Sequence, residues 1–186
     1  MADRQLTPFE HILLGLICQA PSSGYDLKRI FAVTPMGVYQ PSSGALYPAL
    51  RRLEEKGLIQ AQAGQDGNSA RQRRVYELTQ NGQAAHLSWL RTPIAPATVA
   101  RDLGLHLMRF VMMEHLFPPA EVLGFLRGLA DALTAFTAGL EQYAAAAGGD
   151  DLHPRLALDH GLAVHRASLR WAEQAIAALS AVPARA

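Results

Sequence analysis

The 186-residue chain holds a single cysteine, Cys18, so neither an intramolecular disulfide nor a cysteine metal cluster can form. Cys18 lies in the apolar run HILLGLIC, where a small buried hydrophobe is the simplest reading, because a reactive thiol needs an exposed, electropositive setting. Charge is scarce as well: 18% of residues are charged and the formal net charge is +1, which gives no global attraction to nucleic acid or to an anionic surface. Long hydrophobic runs are missing. The apolar stretches near Leu103 and Leu129 are interrupted by His106, Arg109, Arg127 and Asp131, short of the roughly 18 uninterrupted residues of a spanning helix, so no membrane partner is expected. The opening MADRQLTPFE lacks the basic region, apolar region and cleavage site of a signal peptide, which makes the cytoplasm the expected compartment.

Catalytic signatures are equally absent. The chain has no glycine-rich phosphate loop, no nucleophile elbow and no paired carboxylates in an apolar setting, which argues against an enzyme. Six of the seven histidines follow Gln80, but His160 and His165 are five apart, not the four that aligns two ligands on one helix face. Glu114-His115 has no second histidine of the zinc-protease kind. No metal and no cofactor is expected.

With 49% hydrophobic residues the chain is of ordinary globular composition and long enough for two small units. The first helix is announced by a capping box: Thr7 as N-cap, Pro8 in the first turn, and Glu10 at the third helical position. Phe9, Ile12, Leu13, Leu16 and Ile17 then recur at helical spacing. After the break Ala20-Pro21-Ser22-Ser23-Gly24 comes a short helix, Gly24 to Ala32. A third helix follows in PSSGALYPALRRLEEKGLI, where Leu46, Leu50 and Leu53 form one apolar stripe and Gly57 is a natural stop. Gly44, Pro48, Arg51, Arg52 and Glu55 fall on the opposite side, with Tyr47 on the flank. The period then becomes two: Ile59 and Ala61, and later Tyr76 and Leu78, alternate with polar residues around the turn-rich tip GQDGNSARQ. A two-stranded hairpin over Leu58 to Leu78 is expected.

Three helices and a basic hairpin in that order are the plan of a winged helix, a helix-turn-helix variant whose third helix enters the DNA major groove. The groove admits a helix with a slim leading turn, which Gly44 and Ala45 supply. Ser42 and Ser43, with the free backbone N–H groups of the first turn, suit phosphate oxygens at the positive end of the helix dipole. Arg51 and Arg52 can reach a phosphate or a guanine edge, and Arg71, Arg73 and Arg74 on the wing can meet flanking backbone or the minor groove. The first half, through Thr79, carries nine Lys/Arg against seven Asp/Glu, and the rest eight against nine. A solvated surface helix, or a winged-helix module that binds protein rather than DNA, is the alternative; binding that ignores salt would distinguish it.

Thr79 can cap a fourth helix to about Leu90, and the segment TPIAPAT separates a DNA-binding domain, residues 1–91, from an all-helical second domain, residues 92–186. There an apolar helix, Val99 to Leu116, stops before Pro118-Pro119. Two longer helices carry seams stepping by four and three: Val122, Leu126, Leu129, Leu133, Phe136, Leu140 and Tyr143, then Leu158, Leu162, His165, Leu169, Ala172, Ile176 and Leu179. An antiparallel hairpin would pair Tyr143 with Leu158, Phe136 with His165 and Val122 with Leu179. Either seam could instead face another subunit. His165 is a polar residue fixing register in that seam, or a pH sensor that loosens the Phe136 layer. Trp89, Phe110 and Trp171 are candidates to line an effector site between the halves, in competition with core or dimer-interface anchoring.

The tracts LTPFEHILLGLICQAPSSGYDLKRIF, PSSGALYPALRRLEEKGLI and RRVYELTQNG resemble the PadR family of bacterial transcriptional regulators, most closely over Leu6 to Gly82. The C-terminal half, ending in HRASLRWAEQAI, is similar to the helical domain of the longer PadR-like subfamily. The resemblance implies a homodimer that binds double-stranded DNA at an inverted repeat, usually as a repressor relieved by a small-molecule effector. It assigns Ser42, Ser43, Gly44, Tyr47 and Arg51 to a recognition helix, and Arg71 and Arg73 to a wing whose tip here also holds Asp66.

Overall fold

The protein is described from a computed structural model, covering residues 5–33, 43–62, 74–146 and 151–181. Its chain divides into two compact units, 1–90 and 91–186. The first unit runs α1 (Pro8–Gln19), β1 (Ser22–Ser23), α2 (Gly24–Val33), α3 (Ser43–Glu55), β2 (Ile59–Ala61), β3 (Val75–Leu78) and α4 (Gln80–Leu90), in the order of a winged helix. α1 begins at the expected capping box: the Thr7 hydroxyl accepts from the Glu10 N–H at 3.2 Å while Glu10 Oε2 accepts from the Thr7 N–H at 2.8 Å. The apolar stripes of the first three helices meet in one core, with Ile12, Leu13, Leu27, Leu46 and Leu53 fully buried. Gly57 ends α3 in the left-handed region at φ 65°, as its position past the last apolar residue leads one to expect.

The sheet has three strands in the order β1-β3-β2, all antiparallel, so the expected two-stranded hairpin gains a partner. Ser22 and Ser23 pair with Tyr76 and Val75. The reason lies in a second capping box: Ser23 N and Oγ donate to Asp26 Oδ2 at 3.1 and 2.6 Å, and Asp26 N donates to Ser23 Oγ at 3.2 Å. An N-cap residue has extended backbone, which leaves Ser22-Ser23 in strand conformation beside β3. On the other edge Ile59 lies opposite Leu78 and Ala61 opposite Tyr76.

α4 starts where Thr79 Oγ1 accepts from the Gly82 N–H at 3.1 Å and donates to the Gly57 carbonyl at 2.6 Å. A Cβ at Gly82 would stand 1.9 Å from the Leu58 carbonyl oxygen; only glycine lets the helix approach this closely. Further along α4, His86 is fully buried, and neither ring nitrogen meets a hydrogen-bond partner among the described residues. Burial pushes its pKa from 6.5 down to about 4, so the imidazole is neutral in the folded protein. Cys18 is half-buried, and burial raises its pKa.

The second unit contains α5 (Pro96–Met112), α6 (Pro119–Ala146) and α7 (Leu152–Ser180). α5 stops four residues before the expected end at Leu116, because His115 adopts φ 62° and turns the chain ahead of Pro118, before which helical backbone is disfavoured. Asp102, at φ −116° and ψ 20°, breaks α5 internally, and the Thr98 hydroxyl bonds His106 Nε2 at 2.9 Å across that kink. Arg109, buried on the same helix, donates through Nη2 to the Thr92 carbonyl and lies 5.0 Å from the Phe125 ring centre. Burial lowers its pKa to about 10. The polar linker is thereby tied onto the helix that follows it.

α6 is long and apolar enough to cross a membrane, despite the interruptions noted in the sequence. Its apolar residues nevertheless form a protein core, with Leu129 and Leu133 clustered with Val99 and flanked by Leu103, Phe136, Leu169 and Trp171. α7 packs against α6 within one chain: the Phe136 and His165 rings are 4.7 Å apart, and Arg166 reaches Glu141. His165 Nδ1 bonds the Gly161 carbonyl at 2.7 Å. Of the seam positions, Leu126, Leu133 and Leu162 are buried, whereas Ile176 and Leu169 are half-buried. Tyr143 is 67% exposed, so the expected Tyr143 to Leu158 layer is not a buried one.

Two outcomes follow. Gly82→Ala should lower the free energy of unfolding in urea by about 2 kcal/mol or more, since backbone must move, whereas Gly139→Ala, with nothing within 4 Å of the new methyl, should raise it by about 0.5–1 kcal/mol. Because the His86 pKa is lower folded than unfolded, the unfolded chain binds the extra proton. Stability is therefore full above about pH 6.5 and declines as the pH falls toward 4, on the order of 3 kcal/mol in total. A stability-versus-pH slope unchanged in His86→Leu would place the source elsewhere.

Candidate nucleic-acid interface

Helix α3 separates its two faces completely. Leu46, Ala49, Leu50 and Leu53 are at most 1% exposed, while Gly44, Ala45, Tyr47, Pro48, Arg51 and Glu55 face outward. At about 100° per residue, Pro48 and Glu55 occupy the middle of that exposed face. Arg51 stands toward one edge with Tyr47, and Arg52 toward the other. Pro48 lies within the helix, where its missing N–H removes one backbone bond on the outer side.

The Tyr47 edge adjoins the sheet. Tyr76 of β3 lies close enough to Arg74, Glu54, Tyr47 and Arg51 for each to act on its hydroxyl electrostatically, although burial is the larger influence and raises its pKa. Arg74, on the residue before β3, places its guanidinium carbon 5.6 Å from the Tyr76 ring centre and binds Glu54 Oε1 through Nη2 at 2.5 Å. Tyr47 is 53% exposed and leans on α2, where a Cβ at Gly24 would come within 2.7 Å of its ring. Arg51 is exposed on this edge.

On the other edge Arg52 Nε donates to Glu10 Oε1 at 2.7 Å; the Arg52 side chain is 43% exposed and that of Glu10 only 4%. Burial alone would raise the Glu10 pKa, but hydrogen bonds from the Thr7 backbone and from Arg52 outweigh it and hold the carboxyl below its ordinary value. The carboxylate that caps α1 therefore also grips α3.

Thus Gly44, Tyr47, Arg51, Arg52 and Arg74 are brought onto or beside one outward face. Ser42, Arg71 and Arg73 lie outside the described residues, as does the side chain of Ser43. Glu54 and Glu10 were not singled out by sequence as partners of these arginines. The Thr-x-x-Glu spacing marks Glu10 as a cap, but nothing local marks its contact 42 residues away.

The three aromatic residues considered for a small molecule separate into two groups. Trp89 belongs to the first unit and stacks on His11, with centroids 4.7 Å apart and planes 2° apart. Phe110 and Trp171 meet edge-on at 5.6 Å in the second unit. There Phe110, Val111, Met113, Phe117, Val122 and Leu179 line most of a cleft of about 360 Å³. No cluster of metal-ligating side chains occurs among the described residues.

Residues 13–87 match the family model described as the transcriptional regulator PadR-like family, and residues 108–180 match that described as virulence activator alpha C-term. No curated protein matches the chain. Among solved structures, a PadR-like transcriptional regulator from Bacillus cereus is similar at 24% identity, covering 93% of this chain and 98% of that one with a TM-score of 0.39. PadR of Bacillus subtilis in complex with operator DNA is similar at 20% identity, covering 91% and 98% with a TM-score of 0.43. The same protein in complex with p-coumaric acid is similar at 20% identity, covering 94% and 99% with a TM-score of 0.43.

Removal of the α1 cap separates its two duties. Thr7→Ala should lower unfolding stability by about 1 kcal/mol. Glu10→Ala should cost more, because Arg52 also loses its partner. Equal losses in denaturant titrations of the two variants would mean that the Arg52 contact contributes nothing.

Proposed function

The chain belongs to the PadR-like family of transcriptional regulators, and on that premise we propose that its first unit binds double-stranded DNA sequence-specifically, with α3 in the major groove. The observation that carries this reading is the outward face of α3, slim at Gly44 and Ala45 and bearing Arg51 beside Tyr47 and Arg74. A helix of this shape can enter a groove about 12 Å wide, and arginine can pair with phosphate or with a guanine edge there. Arg71, Arg73 and Ser42 complete the proposed contact set.

The proposed form is a homodimer in the cytoplasm, acting on an inverted repeat as a repressor that a small molecule relieves. One recognition helix makes few base contacts, whereas two joined copies read two half-sites and multiply their affinities. Tyr143, Leu152, Leu156 and Val164 stand 67, 52, 53 and 39% exposed on α6 and α7. These apolar side chains favour a second copy of the chain as the partner of the helical unit. The apolar cleft beside Phe110 favours an effector of largely hydrophobic character.

Fluorescence anisotropy with the duplex upstream of the gene and a scrambled duplex, at two salt concentrations, tests the reading. The parent protein should prefer the native duplex and bind more weakly at higher salt, and Arg51→Ala should reduce the affinity about tenfold or more. Salt-insensitive binding without preference for either duplex would contradict it.

A further inference from the structure

Resting on this DNA-binding reading, we propose that Glu10 is a positioning residue for DNA recognition: it holds Arg52 by Nε at the edge of α3 and so presents the terminal guanidinium nitrogens to a phosphate. Three observations converge on this role. The Glu10 carboxylate is immobilised from both sides, with Oε2 accepting from the Thr7 N–H and hydroxyl at 2.8 and 3.1 Å and Oε1 accepting from Arg52 Nε at 2.7 Å. The pair is asymmetric in exposure, since the carboxylate side chain is 4% and the arginine 43% exposed. Arg52 also occupies the edge of α3 opposite to Arg51, Tyr47 and the sheet.

A guanidinium has five N–H donors in a planar fork. A side-on bond at Nε consumes one and fixes the plane of the others, so a phosphate meets a group that is already ordered. A helix lying in a groove has a phosphate backbone on each side. Arg51 with the wing serves one, and Arg52 set against α1 serves the other. The opposite possibility is that Glu10 merely neutralises Arg52 and competes with phosphate. It predicts the opposite sign on removal of the carboxylate charge.

The test compares the parent, Glu10→Gln, Arg52→Ala, their double variant, Arg52→Lys and Thr7→Ala, each with a confirmed thermal midpoint, on the upstream and scrambled duplexes over a range of salt. Glu10→Gln should weaken binding to the upstream duplex about fivefold and lower the salt slope by up to about 0.9, the share of one phosphate contact. It should have no further effect once Arg52 is alanine. Arg52→Lys leaves the cap intact and keeps the charge but lacks Nε, and should weaken binding like Glu10→Gln even if the latter folds poorly. Thr7→Ala removes the hydroxyl but keeps the backbone N–H on Oε2, and should change the salt slope less than Glu10→Gln. Tighter binding by Glu10→Gln, additive losses in the double variant, or an equal loss of slope in Thr7→Ala would overturn the proposal. Binding weakened by Arg51→Ala but untouched by both Glu10→Gln and Arg52→Lys would overturn it alone, whereas absence of DNA binding by the parent would remove the functional reading with it.

Discussion

The carboxylate of Glu10 sits where three requirements of the first unit meet. It closes the N-terminus of α1, it lies in a nearly dry environment, and it receives Arg52 from α3, whose opposite side is buried in the core. A buried carboxylate is costly unless its lone pairs are filled, and here each oxygen is engaged. The arrangement couples a local capping signal to the placement of α3. Tyr47 on Gly24 and Arg74 on Glu54 hold the other edge, so the outward face is braced along both sides.

The features written in nearest neighbours were legible from sequence. Thr7 with Glu10 and Thr79 before α4 announced helix starts, Gly57 announced a stop, and Leu46, Leu50 and Leu53 announced the buried side of α3. Ser23 with Asp26 has the same reciprocal spacing but reads as a loop because Pro21 and Gly24 flank it; its extended backbone becomes a strand only when β3 lies alongside. Contacts set by tertiary packing were not legible. The Arg52 to Glu10 and Arg74 to Glu54 pairs depend on helix and strand angles, and a sequence offers arginines as exposed cations by default.

The helical unit shows the same division. Its four-and-three stepping marked two seams but left open whether they meet within one chain or between two, and Phe136 beside His165 brings them together within one chain. The stepping did not distinguish buried positions from exposed ones, so Tyr143 carries the pattern without the burial. Arg109 and His106 looked like interruptions of an apolar helix; instead they are buried and polar-satisfied in part by Thr92 and Thr98. Such groups tie the linker and the kink of α5 to the unit, a role that follows from burial and leaves no periodic trace.

A nuclease-protection footprint of the full-length protein on the region upstream of its gene tests the central claim most directly. Two protected segments with centres about one helical turn, or a whole number of turns, apart on the DNA would match a pair of α3 helices presented by two joined copies. Uniform or absent protection at concentrations that saturate the duplex would contradict the assignment of α3 as the element that reads sequence.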